Sequence, residues 1–291
     1  MVFLARWLSN RPLWLLHRLG GFLGWLTFVL SPSYRRRFQA NAALAGVPAS
    51  ASRPAIAEAG RLAAELPFLW LRPADEPIRP ALHLHGAELV EAAHAQGRGV
   101  VFLTPHLGCF EVTAQAIAER FAARHGPITV LYRPARQQWL RELMDGSRAR
   151  PGVATAPATL AGVRQLIRAL RRGEAVGLLP DQVPPEGMGV WAPFFGRPAY
   201  TMTLAARLVQ QTGAVLLLVW GERLPHGAGY AVRFSAFDDV LPADANAQAE
   251  SAAAINRAME RLILQCPQQY LWGYNRYKQP RVQAAGEAVE G

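Results

Sequence analysis

Residues 99–132 read GVVFLTPHLGCFEVTAQAIAERFAARHGPITVLY, and this stretch decides the fold. It opens on an apolar run of strand length at 99–104, continues with helical spacing over 110–124, and closes on a second apolar run at Ile128–Tyr132. Continuous apolar strands that alternate with helices are typical of a sheet buried on both faces. The stretch therefore predicts an α/β fold.

The same alternation continues towards the C-terminus. The other elements predicted from the pattern are helices at 56–70, 137–145, 159–172, 202–211 and 247–264, and strands at 175–179, 215–220 and 230–237. We expect them to form a mixed, mostly parallel central sheet covered by helices on both faces. Residues 39–291 would make up this domain, and residues 1–38 a preceding membrane-anchoring helix with its basic flank.

Composition excludes several classes of protein. Apolar residues make up 51% of the 291 residues and charged residues only 18%, which excludes a disordered chain and a coiled coil. The two cysteines, Cys109 and Cys266, are too few for a disulfide framework and lack the C-x-x-C spacing of zinc and redox motifs. We therefore expect a reducing compartment, with neither a structural zinc site nor thioredoxin-type redox chemistry. Metal hydrolysis through His83, His85, His106 and Asp181 stays open, although these residues lack a complete ligand spacing. The phosphate-binding Walker A sequence and the G-x-S-x-G motif of serine hydrolases are also absent from the sequence.

Positive charge is concentrated at the N-terminus. The net charge is +10, and residues 1–57 contain seven arginines but no carboxylate before Glu58. Nucleic acid, acidic lipid and an acidic protein are all partners that such a segment could bind.

Within this basic segment, residues 13–30 read LWLLHRLGGFLGWLTFVL and are interrupted only by His17 and Arg18. The length is at the lower limit for a helix that spans a bilayer, and nearby tryptophans favour a membrane contact. Arginines on both flanks fit a helix that lies in the interface equally well. A spanning helix, an interfacial helix and a buried core helix therefore all remain open.

A secretory signal peptide is a poorer interpretation of the same segment. The three arginines at 35–37 follow the apolar run, whereas a signal peptide carries its positive charge before it. If the segment spans, the positive-inside rule places this cluster and the rest of the chain in the cytoplasm.

The strongest candidate for chemistry is the sequence Thr-Pro-His-Leu-Gly-Cys-Phe-Glu at 104–111. Pro105 favours extended geometry before it, so His106 leaves the carboxyl end of a strand, where open α/β sheets bind ligands. If Gly108 turns the chain back, Glu111 in the next helix can accept a hydrogen bond from one ring nitrogen. The other nitrogen would then be a general base.

Two competing interpretations concern neighbouring residues. His83 and Glu88 have the same spacing as His106 and Glu111, but we expect His83 to follow a proline-broken linker with no strand. Cys109 beside the candidate base could act as a nucleophile, as in Cys/His enzymes. We favour His106 and Glu111 because only they are preceded by a buried strand.

The segment TPHLGCFE resembles the His-x4-Asp/Glu motif of the lysophospholipid acyltransferase superfamily. The order of later motifs is similar to that of the bacterial lipid A biosynthesis (late or secondary) acyltransferases. Those motifs are LYRP at 131–134, RAR at 148–150, LPDQ at 179–182, APFFG at 192–196 and QYLWGYNRYK at 269–278. With the N-terminal apolar segment, the resemblance covers nearly the whole chain.

The resemblance implies transfer of a lauroyl- or myristoyl-class chain from an acyl carrier protein thioester to a 3-hydroxyacyl chain on a Kdo-bearing lipid A precursor. His106 would remove the hydroxyl proton, and Glu111 would orient and balance it. Substrate-binding or supporting roles fall to Arg133, Arg148, Arg150, Asp181, Gln182 and Arg276. The expected partners are the carrier protein, the lipid precursor and the inner membrane on its cytoplasmic side, with no cofactor, metal or nucleic acid.

Asp181 also has support from the strand pattern, since it follows the strand predicted at 175–179 and so shares a sheet edge with His106. The helix at 159–172 has four arginines on one side, which fit lipid phosphates or an acidic carrier protein. Two alternatives remain. One is a glycerophospholipid or ornithine-lipid acyltransferase with the same residues, and the other is a non-enzymatic basic protein that binds RNA or acidic lipid.

Overall fold

A computed structural model of the chain describes residues 2–73, 76–132 and 150–281. Those residues form ten α-helices and nine β-strands. The helices are α1 Val2–Ser9, α2 Leu13–Leu30, α3 Pro32–Leu44, α4 Ala49–Ser52, α5 Ala55–Trp70, α6 Ala87–His94, α7 Phe110–His125, α8 Leu160–Arg171, α9 Leu204–Thr212 and α10 Gln248–Gln265. The strands are β1 Leu82–His85, β2 Val100–Leu103, β3 Ile128–Tyr132, β4 Val153–Pro157, β5 Ala175–Leu178, β6 Gly189–Phe194, β7 Arg197–Met202, β8 Val215–Arg223 and β9 Tyr230–Ala236.

Seven of the strands form the central sheet in the order β1-β9-β8-β2-β5-β3-β4. Every neighbouring pair in it is parallel except β8 and β9, which are antiparallel. The predicted mixed, mostly parallel sheet is therefore confirmed. Strands β2 and β5 are neighbours, so the segments that follow them lie side by side at the carboxyl edge.

Both faces of the sheet are covered, as the alternation along β2 demonstrates. Val101 and Leu103 belong to one core, which also contains residues of α8 and α10. Val100 and Phe102 belong to the other core, which contains residues of α6 and α7. A strand that is apolar at every position is stable here because each face meets a helical layer.

Two features of the structure were not predicted from the sequence. Residues 82–85 form strand β1 at the sheet edge, where a linker without a strand was expected, and residues 189–202 form an antiparallel hairpin of β6 and β7. β1 is hard to predict because it has only four residues that alternate between half-buried and exposed, directly after proline-broken sequence. The helix predicted at 137–145 lies outside the described residues.

Helix α2 matches the apolar run 13–30, and among the described helices it is the one with the length and hydropathy, 1.4 on average, to cross a membrane. The same helix packs along α5. The two backbones are so close that a Cβ atom at Gly24 would overlap the carbonyl oxygen of Ile56, and one at Gly60 would overlap that of Gly20. These small residues let α2 and α5 pack backbone against backbone.

We expect Gly24→Ala to destabilise the protein by about 1–3 kcal/mol, because the added methyl forces α2 away from α5. Gly21→Ala is the matched control, since a Cβ there meets Ala57 at an ordinary 3.6 Å. Its higher helix propensity should leave stability equal or higher. Urea unfolding of the detergent-solubilised proteins measures both. Equal loss in the two variants would contradict close packing at Gly24.

Candidate active site

The loop that follows β2 is held against two other parts of the chain. Gly108 has a φ of +57°, and a Cβ there would overlap the carbonyl oxygen of Gly221 in β8. The Cys109 amide donates to that same oxygen at 2.7 Å, and the Gly108 amide donates to the Gln269 carbonyl at 3.0 Å. Glycine is therefore required for the turn that carries the chain from His106 into α7.

A buried ionic cluster fixes the other side of this loop. The Arg223 guanidinium at the end of β8 donates to the Gly108 carbonyl at 2.7 Å and to Glu65 at 2.8 Å. Burial alone would raise the pKa of Glu65, but the Arg223 charge and the hydrogen bonds of Arg223 and His17 lower it overall. The cluster is thus ionised, and it ties α5 to the loop that carries His106.

His106 makes a two-point contact with a carboxylate that lies 75 residues further along the chain. The Asp181 carboxylate accepts a hydrogen bond from Nδ1 of His106 at 2.7 Å and from the His106 backbone amide at 2.9 Å. The tautomer follows from these partners: Nδ1 carries the proton and Nε2 keeps its lone pair. The His106 side chain keeps 15% of its exposure whereas Asp181 keeps 1%, so the ring alone is open to a substrate.

The surroundings of Asp181 keep it ionised. Burial by itself would raise its pKa, but the charge of His106, the two hydrogen bonds from that residue and the charge of Arg276 hold the pKa below its usual value. The Tyr270 hydroxyl also donates to this carboxylate, at 3.2 Å. Burial and the Asp181 charge raise the pKa of Tyr270, so its hydroxyl keeps the proton that it donates.

Glu111 lies in the first turn of α7, as predicted, but it faces a different partner. Its carboxylate accepts a hydrogen bond from the indole N–H of Trp70 at 3.1 Å. His106 and Glu111 both lie within the described residues, and no hydrogen bond or ion pair joins them there. The expected direct contact is therefore not confirmed, because the pinned loop turns the His106 amide and Nδ1 together towards Asp181.

An apolar cavity of about 100 Å³ lies between α7 and the sheet, and Glu111 lines it whereas His106 and Asp181 do not. Its wall includes Phe110, Glu111, Ile117, Val130 and Leu178. The Phe110 ring also packs edge-on against the His106 ring, with centroids 4.7 Å apart. One aromatic side chain thus contacts both the imidazole and the apolar space.

The comparisons with known proteins identify the family of the chain. The family model for bacterial lipid A biosynthesis acyltransferases matches residues 1–279, which is nearly the whole chain. The chain belongs to that family. It is therefore an acyltransferase, and the non-enzymatic interpretation is set aside.

Individual lipid A biosynthesis acyltransferases are similar over most of the chain. The lipid A biosynthesis palmitoleoyltransferase of Escherichia coli K12 is 27% identical over 220 residues, which cover 75% of this chain and 68% of that protein. The lipid A biosynthesis lauroyltransferase of the same organism is 28% identical over 216 residues, with 74% and 67% covered. The lipid A biosynthesis acyltransferase of Haemophilus influenzae Rd is 24% identical over 203 residues, with 67% and 60% covered.

Arg150, one of the residues that the family resemblance marks, is buried and lines the same cavity as Glu111. Its guanidinium donates to the carbonyl oxygens of Leu69, Trp70, Arg72 and Pro73 at 2.7–3.3 Å, so it caps the end of α5. Burial, together with the charge of Arg72, lowers its pKa to about 10, which still leaves it cationic at neutral pH. The position favours a supporting role, because the end of α5 carries Trp70.

Arg276 is also buried. It donates to the Tyr200 carbonyl at 2.6 Å and to the Thr201 hydroxyl at 2.7 Å, which ties the C-terminal tail to β7. Gln182 follows Asp181 and is half-buried. Arg133 and Arg148 lie outside the described residues.

Three residues that contact the site were not predicted as site residues. Tyr270 lies in the tail motif QYLWGYNRYK, so the motif marked the segment without marking the hydroxyl that reaches Asp181. Trp70 and Arg223 stand at the ends of a helix and a strand, and their sequence surroundings gave no signal. Their roles depend on contacts with chain segments that are distant in sequence.

Acid should destabilise the protein partly through Asp181. Because the folded-state pKa is lower than the unfolded one, the unfolded state binds more protons, and the free energy of unfolding falls as pH drops below the usual carboxyl range of about 4. Asp181→Asn should lessen this fall, although its stability at neutral pH is lower. Urea unfolding from pH 7 to pH 3 measures the slope. The exposed Asp238→Asn controls for the change in net charge, and an unchanged slope in Asp181→Asn would contradict the assignment.

Proposed function

We propose that this lipid A biosynthesis acyltransferase transfers a fatty acyl chain of the lauroyl or myristoyl class from an acyl carrier protein thioester. The acceptor is the hydroxyl of a 3-hydroxyacyl chain on a Kdo-bearing lipid A precursor. One observation carries the proposal: a buried carboxylate orients the His106 ring at the sheet edge, and the Phe110 ring that packs on this imidazole lines an apolar cavity. An imidazole in that setting suits general-base chemistry on an alcohol, and the apolar cavity offers room for the first carbons of a hydrocarbon chain.

In the proposed reaction, Nε2 of His106 takes the proton of the acceptor hydroxyl while the hydroxyl oxygen attacks the thioester carbonyl carbon. A C–O bond forms, the C–S bond breaks, and the imidazolium returns the proton to the departing sulfur. Asp181 keeps the proton of the other ring nitrogen in place and stabilises the imidazolium. These steps balance without a metal or a nucleotide.

Glu111 is the second carboxylate of the proposed site. It lies in the first turn of α7 on the cavity wall, and the hydrogen bond from the Trp70 indole holds its carboxylate there. We assign it the role of balancing the positive charge that develops on His106, while Asp181 orients the ring. Of the two roles expected for Glu111, the proposal keeps the balancing of charge and assigns the orientation of the ring to Asp181.

Helix α8 presents a basic surface to which the acidic carrier protein can bind. Arg164, Arg168 and Arg171 are exposed on this helix, whereas Arg172 is engaged by Glu174 at 2.7 Å. Three exposed arginines on one helix can steer an acidic protein to the site. For the acceptor, Arg133 and Arg148 remain candidates to bind phosphate. We place the protein at the cytoplasmic face of the inner membrane, where both substrates would be present.

His106→Ala should lower acyl transfer about 100- to 10,000-fold, because the hydroxyl loses its general base. The assay mixes acyl carrier protein thioester, lipid A precursor and the protein in membranes, and mass spectrometry measures the product. His83→Ala is the matched control, since His83 has the same spacing to Glu88 but lies exposed on β1. This control should keep full activity.

Retained transfer by His106→Ala would overturn the mechanism. Transfer to a lysophospholipid, with none to the lipid A precursor, would overturn the acceptor assignment and leave the mechanism standing. Asp181→Asn and Glu111→Gln test the two carboxylates in the same assay: each should lower kcat, and both variants should stay bound to membranes.

A further inference from the structure

Helix α2 presents two different faces along its whole length. One face is buried against the protein at Leu13, Leu16, His17, Gly20, Gly21 and Gly24. The opposite face exposes large apolar side chains to the surroundings. We call this set the lipid-facing surface: Trp14, Leu19, Phe22, Leu23, Leu26, Val29 and Leu30, each of which is between 41% and 70% exposed.

The buried face is attached to the body from one end of the helix to the other. Near its start, Nε2 of His17 lies 3.1 Å from the Glu65 carboxylate of α5. In its middle, Gly20 and Gly24 pack on the α5 backbone, and near its end the Phe28 ring packs edge-on against Phe38 of α3, 5.5 Å between centroids. No turn of α2 projects away from the protein as a free anchor would.

Helix α5 cannot follow α2 into a bilayer core. It carries Glu58 and Glu65, both of which contact the buried Arg223 of the central sheet. Charged groups at the centre of a bilayer are costly, and leaving the body would break this buried cluster. A spanning α2 would therefore have to separate from α5 or draw the sheet edge into the membrane.

The charges around α2 match an anionic lipid leaflet. Residues 1–57 contain seven arginines and no Asp or Glu. Three of these arginines lie over tryptophan rings. Arg11 lies 4.8 Å from the centroid of Trp7, Arg18 5.9 Å from that of Trp14, and Arg53 5.3 Å from that of Trp25. Paired arginine and tryptophan side chains suit the headgroup layer, where one end is apolar and the other meets phosphate.

An apolar groove of about 740 Å³ runs beside this surface between α1, α2 and α5. Trp7, Leu19, Phe22, Leu23, Ala59 and Ala63 line it. A groove continuous with the lipid-facing surface gives lipid acyl chains room to pack against the protein.

We propose that α2 lies in the plane of an anionic leaflet, held by α5, instead of crossing the bilayer. The lipid-facing surface then enters the acyl region while the arginines stay among the phosphates. Because Arg223 links α5 to the Gly108 carbonyl, the loop that carries His106 is held close to the leaflet. The use of this closeness for catalysis rests on the proposed function, in which the acceptor is itself a membrane lipid. The orientation of α2 does not rest on the proposed function.

Spin labels on α2 test the orientation. Leu19→Cys, Phe22→Cys, Leu26→Cys and Leu30→Cys are labelled one at a time in the full chain, since the native Cys109 and Cys266 are buried. The proteins bind vesicles of phosphatidylethanolamine and phosphatidylglycerol, and power saturation with oxygen and a nickel chelate gives the depth of each label. Asp244→Cys, at an exposed site outside α2, is the aqueous control.

All four labels should lie at one depth, about 5–10 Å below the phosphates. A helix along the bilayer normal would instead separate the labels at Leu19 and Leu30 by about 16 Å, and that gradient would overturn the proposal. Labels as accessible to the nickel chelate as the Asp244→Cys control would overturn it as well. Vesicles of phosphatidylcholine alone should bind less protein, and equal binding would remove the anionic leaflet as the occupant.

The labelled proteins are also assayed for acyl transfer, which separates the two proposals. A depth gradient in an active protein means that the orientation fails and the proposed function stands. If all labels lie at one shallow depth in a protein that transfers nothing to the lipid A precursor, the orientation stands and the proposed function fails.

Discussion

The contact between His106 and Asp181 is the interaction on which the site depends. A carboxylate that is 1% exposed is strongly destabilised unless donors surround it, and here the donors are the His106 amide, the His106 ring and the Tyr270 hydroxyl. These groups come from the loop after β2 and from the C-terminal tail, and the carboxylate itself follows β5. Three distant parts of the chain must therefore be in place before the imidazole has one orientation and one tautomer.

A second buried charge acts on the opposite side of the same loop. The Arg223 guanidinium donates to the Gly108 carbonyl, and Glu58 and Glu65 of α5 neutralise the charge of Arg223. The position of α5 therefore helps to fix the turn that positions His106. Breaking either partner of such a pair leaves a buried charge uncompensated, which is strongly destabilising. The loop is thus rigid because ionic contacts fix it on one side and the Asp181 carboxylate fixes it on the other.

Local patterns predicted much of the fold and part of the site. The strands that flank His106 and Asp181 are apolar throughout, so their periodicity revealed both the sheet and the edge that the two residues share. The choice of orienting carboxylate was harder. Glu111 is five residues from His106 and Asp181 is 75 residues away, and only the adjacency of β2 and β5 decides between them. That adjacency depends on strand order, which periodicity does not encode, and the same reason hid the contact of Tyr270.

The protonation of the two ring nitrogens of His106 tests this account most directly. Nitrogen-15 NMR of the histidine-labelled protein, with His106 assigned from the spectrum of His106→Ala, reports which nitrogen carries the proton when the ring is neutral. We expect a protonated Nδ1 and a free Nε2, and we expect the signal of that tautomer to be lost in Asp181→Asn. A neutral ring protonated on Nε2 would contradict it.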